Sequence, residues 1–198
     1  NQDNGVRGNS TIEKVKKLRP AFDRKFGTLT AANSSFLTDG AAAVLIMSEE
    51  KAKELGMTAK AEVVDFTFTG QSLEDELLLG PTYAVSKLLK KTGMELDDFD
   101  VIEFHEAFAG QILANINALA SDEFAQKHLG RDKAVGKINM DKFNLWGGSL
   151  SIGHPFGATG ARIMTTTANR LKKEGGTYGL LAACAAGAHG HAMILKRL

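Results

Sequence analysis

Cysteine is nearly missing from this chain: Cys184 is the only one in 198 residues. That excludes an internal disulfide, and it suits either a reducing compartment or a thiol kept for chemistry. Charge of one sign is also lacking. A net charge of +1 and a pI near 8.0 argue against a strong polyanion-binding surface, so no nucleic-acid partner is expected. No apolar run approaches the ~20 residues of a membrane span. No low-complexity tract or short repeat interrupts the chain, and no signal peptide opens it. The start, Asn1-Gln2-Asp3-Asn4, has no methionine and reads as a truncation. What is present is ordinary for a soluble globular protein, 43% hydrophobic and 24% charged residues, in a length that buries one substantial core.

Local patterns alternate strands and helices. Residues 1–11 read as loop, and Ile12 to Leu18 as a short basic helix stopped by Pro20. Residues 22–39 are mostly loop. Ala41 to Met47 is a continuous apolar run, as in a strand covered on both faces. Ser48 caps a helix that Gly56 ends, and a boundary falls near 56–60. Beyond it come a strand at 61–67, a loop at 70–79 and a helix at 83–91 entered after Pro81 and ended at Gly93. A strand at 101–104 leads to a helix at 107–119, whose Phe108, Ile112, Ile116 and Leu119 share one stripe. Ser121 opens a short helix stopped by Gly130, and 131–145 is a connection of no clear type. Helix 162–173 follows, then strands 178–184 and 191–195 joined as a hairpin. This order predicts an α/β layered domain.

The run from Trp146 to Gly160 carries five glycines and one proline around His154. Such backbone suits a sharp turn or a close approach by another group, and it would hold the imidazole on a fixed course. An isolated Gly-His-Pro is more simply a turn with an incidental histidine; the length of this run points to a site.

That run resembles the histidine signature of the thiolases, which make or break a carbon–carbon bond between acyl groups carried on coenzyme A. His105-Glu106-Ala107-Phe108-Ala109 is similar to the family's Asn/His-Glu-Ala-Phe block, and residues 184–190 to its C-terminal cysteine block. Residues 34–40, residues 79–84 and a histidine at 105 resemble most closely the trifunctional group of 3-ketoacyl-CoA thiolases and its bacterial relatives. The likeness implies a thiolase-like layered fold, a mixed five-stranded sheet flanked by helices. Residues 1–58 would be the tail of an N-terminal half and 59–198 the complete C-terminal domain.

The resemblance also implies roles. His154 matches the histidine that activates a nucleophilic cysteine and donates to the thioester oxygen. That nucleophile belongs to the first half and has no counterpart here. Cys184 matches the second, acid/base cysteine, and a thiol near ~8.5 pulled toward neutrality by an imidazole or amide dipoles suits the task. His105 stands where most thiolases carry an oxyanion-hole Asn, and its tautomer is open. Glu106 orders the polar network or is a helix-start carboxylate favoured by the dipole. The backbone N–H of Ala186 matches a second oxyanion donor. Ser35, Phe22 and Phe108 match positions touching pantetheine, though a turn serine and core phenylalanines fit equally. Ala188 and His189 depart from the Gly and Gln expected, and the extra methyl would pinch the hairpin turn.

The implied reaction is thiolytic cleavage of 3-ketoacyl-CoA to acetyl-CoA and a shortened acyl-CoA in fatty-acid β-oxidation. Coenzyme A is co-substrate, and no cofactor or metal is bound permanently. The implied assembly is a homodimer, alone or joined by a hydratase/dehydrogenase α subunit, in a bacterial cytoplasm or a mitochondrial matrix. Without the nucleophile the chain is expected to be inactive alone, and a non-catalytic CoA-binding or assembly module is the alternative. Two other readings are weaker. A zinc set of Cys184, His189, His191 and His154 has unfamiliar spacing. A phosphate cradle at 153–160 lacks a P-loop ending.

Overall fold

The computed structural model describes Gly5 and residues 7–198; residues 1–4 and 6, inside the loop expected over 1–11, lie outside the described residues. In chain order the elements are α1 (Ile12–Val15), α2 (Glu49–Glu54), β1 (Ala61–Gly70), α3 (Gly80–Thr92), β2 (Val101–Phe104), α4 (Ala109–Leu119), α5 (Asp122–Phe124), α6 (Ser149–Ile152), α7 (Thr159–Glu174), β3 (Tyr178–Ala185) and β4 (His189–Arg197). Side-chain caps start α1 and α2, where Thr11 accepts from the Lys14 amide and Ser48 from the Lys51 amide. Pro81 opens α3, whose first-turn amides need no internal partner.

The sheet runs β1-β4-β3-β2. β1, β4 and β3 are antiparallel neighbours, and β2 joins β3 in parallel, so the sheet is mixed. Alternate strand residues face opposite layers. Ile102, Phe104, Leu180, Ala182, Ala192 and Ile194 pack with Ala84, Val85 and Leu88 of α3 and Leu119 of α4. Val101, Leu181 and Leu195 pack on the other side with Ile163, Ala168 and Leu171 of α7. Glu103 also points toward α7, where it meets Arg170 at 2.7 Å with both side chains essentially sealed from solvent. Burial pushes the Glu103 carboxyl up, and Arg170 pulls against it. Arg170 spends its remaining donors on Glu174 and on the Lys142 carbonyl.

Four strands are present among the described residues, one fewer than expected. The difference lies at 41–47, which joins no ladder; Leu45 and Ile46 are 71% and 66% exposed. A continuous apolar run becomes a strand only where another strand offers it a ladder, and none of the four pairs with it. Helix α1 closes at Val15, three residues before the expected end. Helix α4 starts two residues late, because Ala107 and Phe108 pair with the segment at Ser34–Ser35 instead. The hairpin is longer than expected, with Ala185 opposite His189, and residues 186–188 turn it.

Candidate active site

Three pieces of chain meet at one end of the sheet because of how β2, β3 and α7 are connected. β2 and β3 are parallel, so His105 and Cys184, just past one strand and near the end of the other, emerge on the same side. The His105 amide donates to the Ala182 carbonyl at 2.8 Å, which adds one rung beyond the ladder. Helix α7 runs back against β3 through the turn at 175–177, so its first residue, Thr159, and the loop before it return to that end. The segment at 33–36 closes the other side: the Ser35 amide donates to Ala107, the Ala109 amide to Asn33 and the His154 amide to Phe36.

Together they enclose a cavity of about 470 Å³, large enough for a thioester and part of its carrier. His105, His154 and Cys184 all line it, with Ser35, Phe108 and Ala186. Leu77, Leu78, Phe36 and Phe156 supply apolar wall. Phe22 does not reach the cavity; it is 74% exposed and meets Phe108 edge-on at 6.1 Å. Glu106 sits behind the wall. Its carboxylate accepts from Asn144 Nδ2 at 2.6 Å and from the Leu150 amide at 3.1 Å, tying β2 to the glycine-rich run, so the helix-start reading does not describe its contacts.

The glycine-rich run is not all loop, since Ser149–Ile152 makes one helical turn. A side chain at Gly148 would collide with the Glu106 carboxylate. Gly153, at φ +86, reverses the chain into His154 where any Cβ would strike Thr38 and Phe36.

Both imidazoles are held neutral. Burial pushes His105 down to about 3, with His154 and Arg162 adding to the effect. Burial and Arg162 lower His154 as well. The rings lie 4.0 Å apart between centroids, so two imidazolium charges there would repel. His154 Nδ1 is 2.6 Å from Thr159 Oγ1, and His105 Nδ1 is 2.9 Å from Ser149 Oγ. The Cys184 thiol corrects the expectation of a lowered value: burial pushes it up, and neither imidazole is bonded to it. A protonated thiol in a half-buried wall can give a proton. The zinc set does not assemble, because His189 and His191 pair with Ala185 and Ala183 and so face the opposite side of the sheet from Cys184.

The family model for the thiolase C-terminal domain matches residues 57–197, and that for the thiolase N-terminal domain matches residues 1–50. This chain belongs to the thiolase family. It is 60% identical over 195 residues to the mitochondrial trifunctional enzyme subunit beta of Bos taurus, covering 98% of this thiolase chain and 41% of that protein. Among solved structures, human mitochondrial 3-ketoacyl-CoA thiolase in complex with CoA superposes with a TM-score of 0.82 at 34% identity, over 99% of this chain and 45% of that one. The dimeric peroxisomal thiolase of Saccharomyces cerevisiae does so with a TM-score of 0.83 at 35% identity, over 99% and 45%. The chain thus spans less than half the length of these relatives. The thiolase-like α/β fold, an open mixed sheet flanked by helices, is shared with them.

Sequence reasoning missed three residues that hold the histidines of this thiolase chain: Ser149, Thr159 and Arg162. One signal was available. Arg162 sits in the opening turns of α7, where the helix dipole disfavours a cation, and no carboxylate stands in that helix's first turn.

Proposed function

We propose that this chain supplies the histidine and acid/base-cysteine side of a 3-ketoacyl-CoA thiolase site. The observation that carries the reading is the convergence of His105, His154 and Cys184 on one partly apolar cavity. Residues 59–198 act as the C-terminal domain, and residues 1–58, whose described residues include no member of either core cluster, as the tail of the N-terminal half.

In the forward reaction a nucleophilic cysteine from outside these 198 residues, activated by neutral His154, attacks the 3-keto carbonyl. The Cα–Cβ bond breaks, the acyl group passes to that sulfur, and the electron pair leaves as the enolate of acetyl-CoA. The Cys184 thiol, kept protonated by burial, gives its proton to the enolate carbon. The Cys184 thiolate then takes the proton of incoming coenzyme A, whose sulfur attacks the acyl-enzyme and releases the shortened acyl-CoA. His105 and the Ala186 amide donate to the oxyanions, Glu106 fixes the loop behind them, and Ser35 and Phe108 flank the pantetheine arm. Coenzyme A enters as substrate, with no resident cofactor. The working assembly is a dimer, as the yeast thiolase is named, with a second subunit type where the protein is of the trifunctional kind. The direction is degradative, in a mitochondrial matrix or a bacterial cytoplasm.

The test mixes the chain with a cysteine-bearing thiolase N-terminal half and follows acetyl-CoA release from a 3-ketoacyl-CoA and CoA. The chain alone gives none, the mixture gives release, and Cys184→Ala or His154→Ala lowers it about 100-fold or more. Release indifferent to Cys184→Ala sinks the reading. CoA retention with no turnover in any mixture favours a binding module.

A further inference from the structure

We propose that Arg162, acting through Ser149, fixes His105 as the neutral tautomer with its proton on Nε2, so that His105 meets the cavity as a hydrogen-bond donor and not as a base. The chain of contacts is Arg162 Nη2 to Ser149 Oγ at 3.1 Å, and Ser149 Oγ to His105 Nδ1 at 2.9 Å. A guanidinium only donates, so Ser149 Oγ accepts from Arg162. The hydroxyl then has one proton to give. Ser149 is wholly buried, and among the described residues its Oγ has no partner but these two. If Nδ1 carried the proton, Ser149 would stand between two donors with its own hydrogen facing no acceptor, a costly arrangement out of water. The hydroxyl proton therefore points to Nδ1, and the ring proton sits on Nε2.

Arg162 itself argues for the assignment. Its charge, half-buried beside the rings, disfavours an imidazolium at either position. The other histidine lacks this arrangement. Thr159 Oγ1, the partner of His154 Nδ1, has a second acceptor in the Pro155 carbonyl at 3.4 Å, so Thr159 can accept from the ring and leave His154 Nε2 bare. The two rings, tilted 35° to each other, thus differ in what they offer the cavity, one a donor and one an acceptor. Arg162 and Ser149 are positioning residues, and only the use made of the donor rests on the thiolase reading.

The test is the 15N spectrum of the 198-residue chain labelled at histidine, with the His105 signals identified by their loss in His105→Asn. From pH 8 to pH 5 we expect Nδ1 at the low-field, pyridine-type position and Nε2 at the high-field, pyrrole-type position. Ser149→Ala shifts the tautomer ratio by about tenfold toward Nδ1–H, the worth of one hydrogen bond, while Ser149→Thr keeps it. A pyrrole-type Nδ1 in the unaltered chain overturns the proposal without any variant, as does a Ser149→Ala spectrum unchanged at His105. Acyl transfer is not involved, so an inactive mixture with the expected spectrum sinks the functional reading alone, and an active one with the opposite spectrum sinks this one alone.

Discussion

Residues 7–58 and residues 61–198 are built on different terms. In the first stretch only Thr30 is buried, and every residue of the two apolar clusters lies in the second. The first stretch is nonetheless ordered against the second at the cavity, through main-chain bonds from Ser35 to Ala107, from Ala109 to Asn33 and from His154 to Phe36. One region makes the fold and the other borrows a place on it. Apolar pattern has opposite meanings in the two: at 101–104 it marks a strand sealed on both faces, and at 41–47 it marks exposed chain with no ladder.

The sharpest way to break this contrast is to compare unfolding free energies in urea. Arg170→Ala leaves Glu103 buried without its partner and is expected to cost about 3–5 kcal/mol. Leu45→Ala, although it removes a larger apolar group from a run that reads as core, is expected to change stability by less than about 0.5 kcal/mol. Comparable losses would show that the first stretch shares the core after all.

Acid sharpens the contrast at the cavity. The folded chain holds His105 neutral down to about 3 against an ordinary value of 6.5, so the unfolded chain binds the extra proton between those values. Stability therefore rises with pH across that window, is free of this penalty above about 6.5, and drops by about 2 kcal/mol from this ring alone by pH 5. Chemical denaturation at pH 7 and pH 5 measures the drop, and His105→Asn should lessen it by that amount. An undiminished drop would place the sensitive group elsewhere.

A gain instead of a loss is expected at the hairpin. Ala188 is a buried non-glycine residue in the left-handed region, φ 55, at the turn where an added methyl was expected to pinch. Ala188→Gly removes the steric cost of that conformation and adds chain entropy to the unfolded state, for a net gain of up to about 1 kcal/mol. A melting temperature that falls would mean that the methyl's packing outweighs the backbone strain.

Much of residues 61–198 was legible because each signal there has its partner within the same stretch. The 3.6-residue spacing of Ile163, Ala168 and Leu171 is answered by Val101 and Leu181, and the hairpin by its own return strand. The three site blocks were legible by likeness, and their convergence follows from the parallel β2–β3 pair. What escaped was contact between distant side chains. Ser149 lies 44 positions from His105, and no local rule joins them. The thiol's direction of shift escaped as well: it is set by burial in the folded chain, which spacing does not reveal.

The main-chain bond from His105 to Ala182 has a consequence for how the pocket breathes. One side of it is the last rung of a sealed sheet, so that side can loosen only when the sheet itself comes apart. The opposite side is held by the main-chain bonds of the 33–36 segment to Ala107, Ala109 and His154, and that segment holds no member of either apolar cluster. The two sides therefore differ in what opening would cost, since one is tied to the sheet and the other to a segment outside both clusters, and a bulky ligand would enter on the side that opens at less cost.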